Sequence, residues 1–230
     1  MIPQGTILYV NIHGHRQANS IQEWVMKNLF AVDYPPDDIE HGYYSVGFHP
    51  YNIGKADGGD TLNKVRLATE NPNVFAIGEI GLDKSIDVPM EMQMRYFEKQ
   101  VEIAEMTDLP VILHVVRAFN EMIGFMKSHN PAVPMIIHGY NGNRQTVEQL
   151  IGAGFMVSFG EAIAREHSKI VEALLSVPVD RLFLETDEGD LDIREIYHAA
   201  AQVKGMEQDQ LRIQVLENTK ACLPRFAALF

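Results

Sequence analysis

Short apolar runs alternate with amphipathic stretches along the whole chain. The runs Thr6–Asn11, Tyr43–Gly47, Val74–Gly78, Val111–His114, Met135–His138, Phe155–Phe159 and Arg181–Leu184 have the length and character of buried strands. Glu23–Phe30 is ambiguous by period and fits either an eighth strand or a short helix. Helical spacing is clearest over Met90–Met106, Phe119–Lys127, Arg144–Ile151, Arg165–Leu175 and Ile193–Val203. Gln208–Leu229 adds one or two more helices, with a break or bend at Pro224. Asp33–Glu40, with Pro35-Pro36, and Lys55–Asp60, with Gly58-Gly59, read as loops.

Buried-type strands that alternate with helices predict an α/β fold with a parallel sheet covered by helices. Eight strands close a (β/α)8 TIM barrel, whereas seven leave it open or distorted. No repeat, linker or low-complexity segment divides the 230 residues, so residues 1–230 are expected to form one domain. The formal charge of −12 favours solubility and argues against broad electrostatic capture of nucleic acid. It does not exclude a phosphate substrate, because bound cations reverse the local potential. The single cysteine, Cys222, excludes an internal disulfide, fits a reducing compartment and is expected to be buried in the C-terminal helix. Met1-Ile2-Pro3-Gln4-Gly5 has no basic leader, and no apolar stretch approaches the ~20 residues of a membrane span. A cytoplasmic protein with no membrane association and no obligate protein partner is expected.

Polar residues gather where these runs end. His13 and His15 follow the first run, two apart, so on an extended strand they project to the same side. His49 follows Tyr43–Gly47, Glu79 follows Val74–Gly78, and His114 and His138 end their runs. Asp187 closes Leu184-Glu185-Thr186-Asp187. In a parallel barrel the C-terminal strand ends converge on one mouth, which would bring these side chains into one cavity. His41 and His129, beside Gly42 and Asn130, read as loop residues, and His167 and His198 as residues of helical stretches.

Asn11-Ile12-His13-Gly14-His15, Val46-Gly47-Phe48-His49-Pro50 and Ala76-Ile77-Gly78-Glu79-Ile80-Gly81-Leu82-Asp83 continue into Pro110-Val111-Ile112-Leu113-His114, Ile137-His138-Gly139-Tyr140-Asn141-Gly142 and Leu184-Glu185-Thr186-Asp187. In this order and spacing the chain resembles the TatD family of metal-dependent hydrolases, amidohydrolase-like TIM barrels. The resemblance implies two divalent ions. His13, His15 and Asp187 would hold one, His114 and His138 the other, and Glu79 would bridge them. Such a ligand set suits Zn²⁺ or Mn²⁺ better than Mg²⁺. Two ions stabilise the attacking and leaving oxygens of a phosphoryl displacement and acidify a water. Asp187 would orient that water and take its proton, so Asp187 and Glu79 are the catalytic candidates.

The chain departs from the family pattern at several positions. Asn11 stands where the family has Asp and reads as support for the ligands. Tyr51 replaces a second histidine, Lys84-Ser85 replaces an aromatic pair, and Arg117 lies one position after the place of a family arginine, where it would meet a substrate anion. His49 is read as a substrate contact or a support for a ligand. The stretch from His15 to Tyr43 is too short for the usual helix plus strand, so a helix is expected to be missing near the N-terminus. Glu188-Gly189-Asp190-Leu191-Asp192 is acidic where the family often carries a longer basic loop. The leading expectation is a phosphodiesterase, a deoxyribonuclease acting from DNA ends. The alternatives are hydrolysis of a small-molecule amide, ester or lactone on the same metal centre, and metal binding with little catalysis.

Overall fold

Apolar runs become strands and amphipathic stretches become helices in the computed structural model, which describes residues 8–36, 39–165 and 167–230. Met1–Gly5, Thr6 and Ile7 of the first expected strand, Asp37 and Asp38 of the first expected loop, and Glu166 lie outside the described residues. The strands are β1 (Tyr9–Gly14), β2 (Glu23–Phe30), β3 (Tyr43–Gly47), β4 (Val74–Asp83), β5 (Val111–Val116), β6 (Met135–Ile137), β7 (Met156–Phe159) and β8 (Leu182–Leu184). The helices are α1 (Gly58–Ala68), α2 (Met90–Thr107), α3 (Phe119–His129), α4 (Arg144–Gly152), α5 (Ser168–Ser176), α6 (Ile193–Lys204), α7 (Gln208–Cys222) and α8 (Pro224–Ala227). The strands form one eight-stranded sheet in chain order, β1 to β8, the order of a (β/α)8 barrel. Pairs β3–β4, β4–β5 and β7–β8 are parallel. No helix among the described residues is long and apolar enough to cross a membrane.

Glu23–Phe30 resolves as a strand, with Trp24, Val25, Met26 and Asn28 buried. Among the described residues, no helix joins β1 to β2, and a single 3-10 turn, Ala31–Asp33, lies between β2 and β3. Two connections therefore lack an α-helix where the sequence led to one missing. Phe226 of α8 compensates at the start of β2: its ring meets Trp24 edge-on at 4.7 Å, and both side chains are almost fully buried. Pro224 sits in the first turn of α8, where its missing N–H costs nothing, so it separates α7 from α8 as expected.

Two segments read from the sequence as ending at glycines run differently. Gly58-Gly59 belongs to the first turn of α1, whose N-cap Asp57 accepts the Asp60 N–H. Gly58 is needed for packing, since a Cβ there would collide with the Tyr96 ring of α2. β4 continues past Gly78 to Asp83, because Gly81, at φ 148°, lets the backbone lie against the His114 carbonyl of β5, where a Cβ would clash. Glu79 and His114 accordingly lie within strands. So does His13, because β1 extends to Gly14. His129 ends α3 rather than lying in a loop, and α5 begins after His167, whose extended backbone (φ −62°, ψ 105°) caps it.

The chain divides into two compact units, Met1–Met26 with Ile137–Phe230, and Lys27–Ile136. In the first, β1 meets the extension of β8 through a parallel bridge between Gly14 and Asp187. Behind β1 the buried Tyr197 of α6 both accepts from the Val10 N–H (3.1 Å) and donates to the Val10 carbonyl (2.9 Å). Cys222 is buried at the end of α7, which pushes its thiol up to about 11. In the second unit, Gln100 of α2 pins the end of β3 by accepting from Phe48 N–H (2.7 Å) and donating to its carbonyl (3.2 Å).

Candidate metal centre

In the first unit the strand ends bring His13, His15, His138, Glu185 and Asp187 together. The backbone sets this up: Asp187 N–H donates to the His13 carbonyl (3.1 Å) and His15 N–H to the Asp187 carbonyl (3.3 Å). Asp187 holds a left-handed backbone at φ 51°. Its Oδ1 lies 3.5 Å from His13 Nε2 and 3.4 Å from His15 Nε2. Burial pushes the Asp187 carboxyl up, but the hydrogen bonds from His13 and His15 outweigh it and hold the group well below the usual carboxylate range. One ligand atom from each of His13, His15 and Asp187 lies within 4.8 Å of the others, and the same holds for His138, Glu185 and Asp187. The His13 and His138 rings stand 4.2 Å apart.

Asn11 supports this group, as expected of it. Its side-chain amide donates to Thr186 Oγ1 (2.9 Å) and Glu23 Oε1 (3.1 Å), and its carbonyl accepts the Thr186 N–H (3.0 Å). An aspartate here would meet the Glu23 carboxylate with no proton to offer, so the asparagine and the β2 glutamate belong together. Glu185 is a residue that sequence reasoning missed. It is fully buried and accepts from Gly139 N–H at 2.6 Å, with His138 Nδ1 at 3.4 Å. Its signal was its place two residues before Asp187, which puts both carboxylates on one side of an extended chain.

In the second unit the group is built around Glu79. His114 Nδ1 lies 2.7 Å and His49 Nε2 3.4 Å from Glu79 Oε1, and ligand atoms of the three lie within 4.8 Å of one another. Asn28 of β2 holds the carboxylate: its amide donates to Glu79 Oε2 (3.4 Å) while its carbonyl accepts the Glu79 N–H (3.0 Å) and the Ser45 hydroxyl (3.3 Å). His114 Nε2 turns to Asp83 Oδ2 at 3.1 Å. Burial raises the Asp83 carboxyl, but Ser85, which donates through hydroxyl and N–H, and His114 lower it further, leaving it below its ordinary value. Asp83 and Asn28 were also missed. Arg117 stands exposed after β5 at φ 54°.

Two imidazoles and a carboxylate are the mixed nitrogen and oxygen set that suits Zn²⁺, Mn²⁺ or Fe²⁺, so both groups fit a divalent ion on donor chemistry. Beside Asp187 lies a cavity of about 390 Å³ whose lining includes Glu161, Arg165, Glu185, Glu188 and Asp190. The acidic loop is partly neutralised. Asp190 pairs with Arg16 at 2.6 Å, and Asp192 caps α6 and holds Arg194 at 2.7 Å.

The comparisons agree with this geometry. The chain is 32% identical over 155 residues to YjjV, an uncharacterized metal-dependent hydrolase of Escherichia coli K12, a match that covers 66% of this chain and 60% of that protein. It is 32% identical over 148 residues to the 3′-5′ ssDNA/RNA exonuclease TatD of Erwinia billingiae, covering 62% of this chain and 56% of that one. In both cases the match spans less than two thirds of the relative's length. The crystal structure of the Escherichia coli YjjV shares the fold, with a TM-score of 0.78 over 87% of this chain and 86% of that one at 24% identity. A TatD-family hydrolase from Entamoeba histolytica does so with a TM-score of 0.74 over 94% and 98% at 13% identity. The family model described as TatD related DNase matches residues 37–224, from before β3 through α7, and so takes in His49, Glu79, His114, His138 and Asp187. With strand-end histidines and carboxylates gathered as such a hydrolase requires, the chain belongs to the TatD-related DNase family.

Proposed function

We propose that this protein is a divalent-metal-dependent phosphodiesterase that acts on ends of single-stranded nucleic acid. The observation that carries the reading is the gathering of His13, His15 and Asp187 ligand atoms within 4.8 Å, at strand ends of a chain whose relatives include exonucleases. His13, His15 and Asp187 hold one ion, and Glu79 and His114 contribute to a second. Zn²⁺ or Mn²⁺ is favoured by the imidazole content. The whole chain, residues 1–230, works as one hydrolase domain in this reading.

Divalent ions at these ligands supply Lewis acidity for a phosphoryl oxygen and acidify the attacking water. The side chains do the rest. Asp187, held ionised by His13 and His15, orients that water and accepts its proton as the oxygen attacks phosphorus. The bond from phosphorus to the leaving oxygen breaks, and that oxygen takes a proton from solvent. Glu185 holds the His138 ring through Nδ1, which leaves Nε2 to act as a ligand. Pairing of Asp190 and Asp192 with arginines removes much of the repulsion that the acidic loop would otherwise impose on a polyanion. This favours the nuclease over hydrolysis of a small-molecule amide, ester or lactone.

The test is to measure bound metal and then assay the Mn²⁺- and Zn²⁺-loaded chain on single-stranded DNA and RNA with open or blocked ends, and on model esters. End-dependent degradation that disappears in Glu79→Ala and Asp187→Ala is expected. Turnover of esters alone would replace the nuclease with the small-molecule hydrolase, and full metal occupancy without turnover would leave a binding protein.

A further inference from the structure

We propose that His49 is a hydrogen-bond donor to the substrate and not a metal ligand, because the backbone fixes its tautomer. The substrate part of this inference rests on the phosphodiesterase reading above; the tautomer does not.

His49 follows β3 and caps the 3-10 turn Pro50–Asn52 with an extended backbone (φ −61°, ψ 141°). In that position its Nδ1 accepts the Tyr51 N–H at 3.1 Å. A backbone amide donates and never accepts, so Nδ1 must present a lone pair and carries no proton. A neutral imidazole has one N–H, which therefore sits on Nε2. Nε2 in turn lies 3.4 Å from Glu79 Oε1, an acceptor-only carboxylate, as an N–H should. The ring is nearly buried and fixed on two sides, edge-on to Phe30 at 5.6 Å and to His114 at 4.4 Å. A ligand histidine gives a lone pair to the ion. For His49 that lone pair is already committed at Nδ1, and Nε2 would have to lose its proton.

His138 shows the opposite arrangement. There Nδ1 faces the carboxylate, Glu185 Oε1 at 3.4 Å, so the proton sits on Nδ1 and Nε2 keeps its lone pair. Spatial proximity alone would group His49 with Glu79 and His114 as a third ligand. Hydrogen-bond chemistry instead makes it a preorganised N–H beside a ligand carboxylate. Such a donor stabilises negative charge that develops on a substrate oxygen and transfers no proton itself. The ligand class that it recognises is an anionic oxygen, here a non-bridging oxygen of the phosphodiester.

The experiment uses the full chain, labelled with ¹⁵N, in proton–nitrogen correlation spectra of the histidine rings, metal-free and Zn²⁺-loaded. The expected pattern for His49 is a protonated Nε2 and a bare Nδ1 in both states. Metal content by mass spectrometry should be the same in wild type, His49→Ala and His49→Gln. With bis-p-nitrophenyl phosphate and Mn²⁺, His49→Ala should lower kcat by about a hundredfold or more, the usual cost of losing one such donor, with KM little changed. His49→Gln offers an amide N–H and should recover at least tenfold of that loss. Loss of an equivalent of metal in His49→Ala, or an Nε2 resonance of the metal-bound type, would overturn the inference, as would an unchanged kcat in His49→Ala. Should His49→Ala not fold, the wild-type spectra still decide between donor and ligand. Wild type that loads metal and leaves the diester intact would sink the phosphodiesterase reading, while the spectra and metal content would still judge the tautomer.

Discussion

Asp187 and Glu79 each gather imidazoles, but in opposite surroundings. The Asp187 side chain is 42% exposed and is placed by its own backbone, which is tied to β1 on both sides of Gly14. The Glu79 side chain is only 7% exposed and is placed by other side chains, chiefly the Asn28 amide. A carboxylate positioned by backbone can be changed with little loss to the fold. One buried within a hydrogen-bonded network cannot, because its removal strands the partners in a low-dielectric interior.

The largest expected effect tests the first half of that contrast. Asp187→Asn should lower kcat/KM by about a thousandfold or more, since several kcal/mol of charge stabilisation depend on the ion that it helps to hold. Its metal-free melting temperature should scarcely move. Glu79→Ala should lose activity as well, and should also lose about 1–3 kcal/mol of stability through the stranded Asn28 and His114. At about 2–4 °C per kcal/mol, calorimetry of the metal-free variants resolves the difference. Equal melting shifts for the two variants would break the comparison.

Glu185 sharpens it, as a buried carboxylate within the more exposed group. Glu185→Gln should weaken metal binding by about ten- to a hundredfold in a chelator competition, the range typical of a residue that orients a ligand histidine. Smaller still is the effect of Glu188, the loop carboxylate beside the cavity that has no arginine assigned to it. Glu188→Gln should lower KM for single-stranded DNA a fewfold at low ionic strength, and the gain should fade as salt screens the charge.

The smallest effect is one of pH. Because the folded Asp187 carboxyl lies below its ordinary value, its contribution to stability is complete above about pH 4 and is lost as pH falls through the lower folded value. Acid melting of the metal-free protein should therefore be less steep in Asp187→Asn than in wild type.

Much of the strand framework was legible because burial leaves a period in the sequence. Glu23–Phe30, although ambiguous by period, occupies the same residues as the expected strand, and Tyr43–Gly47 was unambiguous. Boundaries slipped at glycines. Gly78 and Gly81 looked like stops but serve close approach of β4 to β5, and Gly58 looked like loop but lets α1 lie on α2. A glycine reports that a Cβ is not tolerated, and the neighbour that forbids it is known only from the fold.

The chain's residue types and their places at strand ends determined by themselves which side chains are candidates: His13, His15, Glu79, His114, His138 and Asp187 all stand where a parallel sheet turns its strand ends toward one face. Tertiary structure alone decided what each nitrogen and oxygen can offer. That Asn11 answers to Glu23, that Asn28 holds Glu79, and that His49 and His138 carry their ring protons on different nitrogens depends on the hydrogen-bond partner each one meets. For all but His49 that partner comes from another element of the fold. Apolar patterning is local and periodic, so a sequence displays it. A tautomer or a carboxylate's anchor depends on the specific atom within about 3 Å, and no pattern along the chain records that.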